Sequence, residues 1–249
     1  MRISEDFYSI QGEGFSQGVP AYFIRLQGCN LMCGGVGGEK VKSGEATWWC
    51  DTEAVWKQGK RVSNEELVDR IQEAGQLEQV LDGVTHMVWT GGEPTLPLHV
   101  SAITGFVNYM RNTYDGNSMF NEIETNATVH VKPYFYQGII QQVNSSPKLS
   151  NSGVPDNMRI NPRALKQVAD HYNGWFKFVV THREDVFEIK RDFIRPYNLP
   201  QSQVILMPGV DNLKELPEKT KLVYELAKEF GYRATTRGQI LAWDKTTGV

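Results

Sequence analysis

Residues 21 to 33 read Ala21-Tyr22-Phe23-Ile24-Arg25-Leu26-Gln27-Gly28-Cys29-Asn30-Leu31-Met32-Cys33. The first six are apolar or aromatic except Arg25 and are soon stopped by a glycine, which predicts a short strand running straight into a loop with two thiols. The same order recurs downstream: 86 to 89 precedes Thr90-Gly91-Gly92-Glu93, 122 to 125 precedes Asn126, and 139 to 143 precedes Ser145-Ser146-Pro147-Lys148. Further candidate strands cover 175 to 180, 204 to 207 and 239 to 242.

Between the strands lie segments of helical period. Ser63-Asn64-Glu65-Glu66 has capping-box spacing ahead of Leu67 and Ile71, and Asn161-Pro162 offers an N-cap with proline at the first helical position. Ile103, Phe106, Val107 and Met110 keep helical spacing, as do Leu222, Val223 and Leu226 before a stop at Gly231. This alternation predicts an α/β fold of parallel strands with crossover helices, either an open doubly wound sheet or a partial barrel. Both bind ligands beyond the carboxyl ends of the strands, where the thiols and polar residues fall.

The 249 residues, 40% hydrophobic and 22% charged, suit one sizeable core, and 1 to 249 reads as a single domain. Lys plus Arg (26) nearly balance Asp plus Glu (29) for a net charge of -3, which leaves no basic footprint for direct contact with nucleic acid. No apolar stretch approaches the roughly 18 residues of a membrane span, and Met1-Arg2-Ile3-Ser4-Glu5-Asp6 lacks the regions of a signal peptide. The expectation is a cytoplasmic protein without a membrane partner.

The three cysteines, Cys29, Cys33 and Cys50, lie within one loop, 28 to 52, and an odd cluster of thiols suits metal better than a disulfide framework. Three thiolates are one short of a closed structural site and favour iron-sulfur. A zinc site completed by a histidine, or three small buried side chains without metal, remain as alternatives. None of His86, His99, His130, His171 and His182 falls inside the loop, which weakens the zinc reading.

Cys29-x3-Cys33, followed later by Trp49-Cys50-Asp51-Thr52, resembles the CxxxCxxC signature of the radical S-adenosylmethionine superfamily with an insert at 34 to 49. Lengthening the second gap from two to sixteen residues costs about (3/2)RT ln 8, roughly 1.8 kcal/mol. Metal ligation on the order of 10 kcal/mol outweighs it. Gly34, Gly35, Gly37, Gly38 and Gly44 with Glu39, Lys40, Lys42 and Glu45 read as a solvated excursion outside the catalytic constellation, with Trp48 and Trp49 packing back.

Thr90-Gly91-Gly92-Glu93-Pro94 looks like the GGE motif of the same superfamily, and Phe7-Tyr8-Ser9-Ile10-Gln11-Gly12-Glu13-Gly14 resembles the opening of 7-carboxy-7-deazaguanine synthases. Glu124-Thr125-Asn126, Ser146-Pro147-Lys148, Lys177-Phe178-Val179-Val180, Met207-Pro208 and Gln239-Ile240-Leu241-Ala242-Trp243 extend that resemblance along nearly the whole chain. Two departures are the insert and Asp244, which stands where the closing segment of that family has glycine.

The resemblance implies a partial (β/α)6-type barrel and radical ring contraction of 6-carboxy-5,6,7,8-tetrahydropterin to 7-carboxy-7-deazaguanine with loss of ammonia. It implies a 4Fe-4S cluster on Cys29, Cys33 and Cys50, and Mg2+ at Thr52. S-adenosylmethionine would lie on Trp49, Asp51, Gly92, Glu93, Asn126, Ser146, Pro147 and Lys148, and the pterin on Ile10, Gln11, Gly12, Glu13, Arg25, Thr90 and Val249. A homodimer and a flavodoxin-like electron donor are implied partners. Two other readings share the thiols: a glycyl-radical-enzyme activase, which has no reason to carry Gln11 to Gly14 with Arg25, and a non-catalytic iron-sulfur or zinc interaction module.

Overall fold

A run of alternating side chains builds the frame in the computed structural model, which describes residues 1–35, 46–246 and 248–249. Strand β1 (Arg2–Ile10) pairs antiparallel with β2 (Pro20–Leu26) and with β3 (Lys60–Arg61). From β2 the sheet is parallel through β4 (His86–Gly91), β5 (Asn121–Thr125), β6 (Gln142–Ser145), β7 (Gly174–Val180), β8 (Val204–Pro208) and β9 (Arg233–Ala234). The spatial order is β3-β1-β2-β4-β5-β6-β7-β8-β9. Each parallel strand pairs with the next one along the chain, so the winding never reverses. A doubly wound sheet needs a switch point, and its absence from this order makes the architecture a partial barrel.

Successive side chains of a strand point to opposite faces. Tyr22, Ile24 and Leu26, Met87 and Trp89, Ile123, Val143, Phe176, Phe178 and Val180 turn outward and share one buried core with helix residues Leu67, Ile71, Ile103, Phe106, Val107, Met110, Leu165, Val168, Val223 and Leu226. The opposite parity carries Arg25, Thr90, Glu122, Glu124, Gln142, Asn144 and Lys177 to the inner face. The buried polar atoms there bond one another: Gln11 Nε2 donates to Glu122 Oε1 at 2.9 Å, and Asn144 donates to the same oxygen.

The helix starts and stops follow the sequence. Ser63 Oγ accepts from Glu66 N at 3.1 Å, Asn161 Oδ1 accepts from Arg163 N and Ala164 N, and Gly231 ends the helix Leu216–Phe230 at φ 74°. Two expected strands need correction. Residues 239 to 242 lie in the helix Gly238–Trp243, where Ile240 is buried and Leu241 is exposed, because a four-residue apolar run carries no period that separates strand from helix. The strand expected at 139 to 143 is Gln142–Ser145; Phe135–Ile139 before it is a π-helical turn closed by Ile140 N donating to Phe135 O. Among the described residues no helix is long and apolar enough to cross a membrane.

Candidate functional site

At the carboxyl ends of the parallel strands the barrel opens into a cavity of about 830 Å³. All of the site residues named from the sequence line it except Pro147, which is buried between Ser146 and Lys148. The thiols form one wall, the inner-face polar residues the floor, and Val249 part of the rim.

The thiol wall depends on glycine. A Cβ on Gly92 would come within 1.7 Å of Gly28 O, so the turn after β4 lies directly on the turn that leads to Cys29. Gly92 N donates to Leu26 O and Glu93 N to Gly28 O, at 2.9 and 2.8 Å. The third cysteine returns to the other two because Cys50 N donates to Cys33 O at 3.1 Å. Gly34 N and Thr47 N donate to Ser152 O and Asn151 O, and Trp48 Nε1 donates to Asn151 Oδ1 at 2.8 Å. Ala46, Thr47, Trp48 and Trp49 line the cavity, so Trp48 and Trp49 pack back as expected and Ala46 and Thr47 reach the site with them. Gly37, Gly38, Glu39, Lys40, Lys42, Gly44 and Glu45 lie outside the described residues.

Cys29, Cys33 and Cys50 pack with Leu31, Trp48 and Val154. Burial pushes the Cys29 thiol up to about 11 and the Cys33 thiol up to about 12, while Lys148 pulls both down. Among the described residues no three His, Cys, Asp or Glu side chains converge as a single ion requires. An iron-sulfur cluster takes each thiolate on a separate iron, and an apolar pocket with three thiols and a nearby cation fits such a group.

Glu93 is fully buried, and its carboxylate turns inward. Thr95 N and Thr95 Oγ1 donate to its Oε1 at 2.9 and 2.5 Å, Thr125 Oγ1 at 2.7 Å, and Asn126 N donates to Oε2 at 2.7 Å. Burial raises its pKa against the pull of those hydrogen bonds. Four donors occupy about all its acceptor sites. Asn126 in turn donates to Asn30 Oδ1 at 3.0 Å and approaches Cys29 Sγ at 3.9 Å. The two residues therefore tie the turn after β5 to the thiol loop.

The floor is an ion network. Glu13 accepts from Lys177 at 2.7 Å, from Arg237 Nε at 2.8 Å and from Gln239 Nε2 at 2.6 Å. Burial alone would raise the Glu13 pKa, but Lys177 and Arg237 outweigh it and hold the carboxyl well below its usual range. Burial likewise works against the Lys177 ammonium, which Glu13 and Glu124 keep charged. Glu124 accepts from Thr90 Oγ1 at 2.7 Å and from Gln11 Nε2 at 3.2 Å. A Cβ on Gly12 would meet Gln239 N at 2.8 Å, so the Gln11-Gly12-Glu13 turn sits against the C-terminal helix.

Arg25 lies at the wall with its Nε 3.0 Å from Glu5 Oε1, close enough to pair but not aligned as a hydrogen bond, and with its guanidinium 5.5 Å from the Phe7 ring. Glu5 is thus a resident anion beside Arg25. Thr52 stands at the N-cap of the helix Glu53–Trp56 without capping it; its Oγ1 is 3.5 Å from Cys50 Sγ.

Sequence reading did not assign Lys177 or Arg237 to the site. Lys177 left a signal, one cation inside Gly174-Trp175-Phe176-Lys177-Phe178-Val179-Val180 at the inward parity of β7. Arg237 left none, because its partners Glu13 and Asp51 are 224 and 186 residues away.

No protein-family profile matches the chain. It is 30% identical to the 7-carboxy-7-deazaguanine synthase of Pyrobaculum aerophilum over 252 residues, 100% of this chain and 97% of that protein. With the protein of the same name from Aquifex aeolicus it shares 32% over 231 residues, 91% of this chain and 86% of the other. The crystal structure of QueE from Escherichia coli superposes with a TM-score of 0.63 at 23% identity, covering 95% of this chain and 93% of that one.

Proposed function

The chain belongs to the 7-carboxy-7-deazaguanine synthase family, and from that premise we propose how its residues divide the work of a radical S-adenosylmethionine lyase. The reaction contracts the ring of 6-carboxy-5,6,7,8-tetrahydropterin to 7-carboxy-7-deazaguanine and releases ammonia, a step of deazapurine biosynthesis. When bound, the 4Fe-4S cluster and S-adenosylmethionine supply the hydrogen-abstracting radical. Cys29, Cys33 and Cys50 hold the cluster, and Lys148 offsets part of the thiolate charge.

Gly92, Asn126, Ser146 and Lys148, with Trp49 and Asp51 on the returning limb, form the S-adenosylmethionine side. Glu93 acts there by fixing Asn126 and Thr125. Ile10, Gln11, Gly12, Glu13, Thr90 and Val249 surround the pterin, whose guanidine-like edge suits the carboxylates and amides of the floor. Arg25, with Glu5 holding its Nε, presents the rest of its fork to the pterin carboxylate. Thr52 Oγ1, beside Cys50 Sγ, is the hydroxyl for Mg2+, an ion that takes few protein ligands and the rest from substrate and water.

The observation that carries this reading is that the thiol wall and the Glu13–Lys177 floor open onto one cavity. Residues 1 to 249 then act as one catalytic unit, in a cytoplasmic homodimer that draws electrons from a flavodoxin-like protein; three free thiols suit a reducing compartment. The test is anaerobic turnover of reconstituted protein with the carboxypterin, S-adenosylmethionine and dithionite. The expected product lies 17 mass units below the substrate, and cofactor cleavage without that product would refute the assignment.

A further inference from the structure

Arg237 uses every arm of its guanidinium on a different segment. Nε donates to Glu13 Oε1 at 2.8 Å, Nη2 donates to Asp51 Oδ2, and Nη1 donates to Val210 O at 2.5 Å just beyond β8. The side chain is 13% exposed, and Glu13 and Asp51 favour its charged form.

The returning limb needs such a hold. In a two-residue gap the third thiol is placed by the second, but here sixteen residues separate Cys33 from Cys50, and the covalent constraint is correspondingly weak. Thr47 N and Trp48 Nε1 donating to Asn151, and Cys50 N donating to Cys33 O, hold the limb up to Cys50, and Arg237 to Asp51 holds it just beyond. Glu13, at the far end of the same guanidinium, lies in the segment that faces the pterin.

We propose that Arg237 is a positioning residue that clamps the Cys50-Asp51-Thr52 limb to the substrate turn at Glu13, so that the cluster wall and the pterin floor hold their places through one side chain. This rests on the reading above for what the two walls bind. The clamp itself is a statement about the chain and is measurable without turnover.

The test compares Arg237→Gln, Arg237→Lys and Asp51→Asn with the parent. In metal-free protein, iodoacetamide alkylation of Cys50 relative to Cys29, followed by peptide mass, reports whether the limb is held. Arg237→Gln is expected to speed Cys50 alkylation by about tenfold, the scale of one lost charge-assisted bond. Arg237→Lys, which keeps the charge and reaches one partner at a time, should fall between. Asp51→Asn should release Cys50 as Arg237→Gln does, and Arg237→Gln should weaken carboxypterin affinity of the reconstituted protein, measured by equilibrium dialysis, by about tenfold.

Unchanged Cys50 alkylation in folded Arg237→Lys and Asp51→Asn would overturn the clamp, even if Arg237→Gln fails to fold. Faster alkylation with no change in pterin affinity for either Arg237 variant would overturn the link between the walls. A parent that makes no deazaguanine while the alkylation pattern holds would sink the proposed function and leave the hold on the limb standing.

Discussion

Replacing Arg25 by lysine tests the substrate assignment most directly. Arg25 and Glu5 are cross-strand partners in the β1–β2 register, so the 3.0 Å approach of Nε to Glu5 Oε1 is built into the sheet. Lysine keeps the charge, can still reach Glu5, and can still lie near Phe7, but it cannot present two parallel N–H groups to a carboxylate. The loss is one charge-assisted hydrogen bond, about 1.5 to 3 kcal/mol, or roughly 10- to 150-fold in carboxypterin affinity. The assay is anaerobic initial rates with the carboxypterin varied, paired with equilibrium binding and with iron content to confirm that the cluster wall is intact. A tetrahydropterin lacking the 6-carboxylate closes a cycle. The parent should lose more than that factor with the ligand, and Arg25→Lys should lose less than the parent does, the difference being the second hydrogen bond of the guanidinium. If the lysine variant bound the carboxypterin as tightly as the parent, Arg25 would be a strut for Glu5 and the carboxylate would be met elsewhere.

Each of Cys29→Ala, Cys33→Ala and Cys50→Ala should abolish S-adenosylmethionine cleavage, and full 5'-deoxyadenosine formation in any one of them would exclude that thiol as a ligand. Turnover should rise with added Mg2+, and Thr52→Ala should blunt that rise without changing iron content; a rate indifferent to chelation would remove the ion from the site. Because the Glu13 carboxyl is held low in the folded state, its contribution to stability is complete above its unfolded pKa of about 4.3 and is lost as pH falls through the lower folded value. Glu13→Gln should therefore lower the denaturation midpoint at pH 7 and flatten its decline in acid, and an unchanged acid slope would show that Glu13 is not titrating as described. Asp244 adopts φ 52° and ψ -114°, a glycine conformation, while its Oδ1 accepts from Leu213 N at 2.7 Å. Asp244→Gly and Asp244→Ala both lose that bond, so glycine should exceed alanine by about 1 kcal/mol in urea unfolding, and equal stability would mean the backbone is unstrained.

What could be read from the chain and what could not divide along one physical line. A short apolar run bounded by turn residues is a local signal, so the strands at 21 to 26, 86 to 89, 122 to 125, 175 to 180 and 204 to 207 were legible. Strand β1 was not, because its polar residues sit on both faces: its burial is partial along most of its length, and it is held by pairing to β2 rather than by an apolar stripe. Motif residues were legible as positions but not as contacts. Glu93 falls where the Gly-Gly-Glu turn puts it, yet its carboxylate is spent on Thr95, Thr125 and Asn126, a result decided by two neighbouring strand ends. Arg237 marks the limit. A cation after a threonine pair near the C-terminus has no local signature, and its meaning arises only when the barrel closes Glu13 and Asp51 around it. The positions most dependent on that closure are the ones at which substitution should couple the two walls of the cavity, whereas substitutions at locally determined positions such as Ser63 should change helix stability alone.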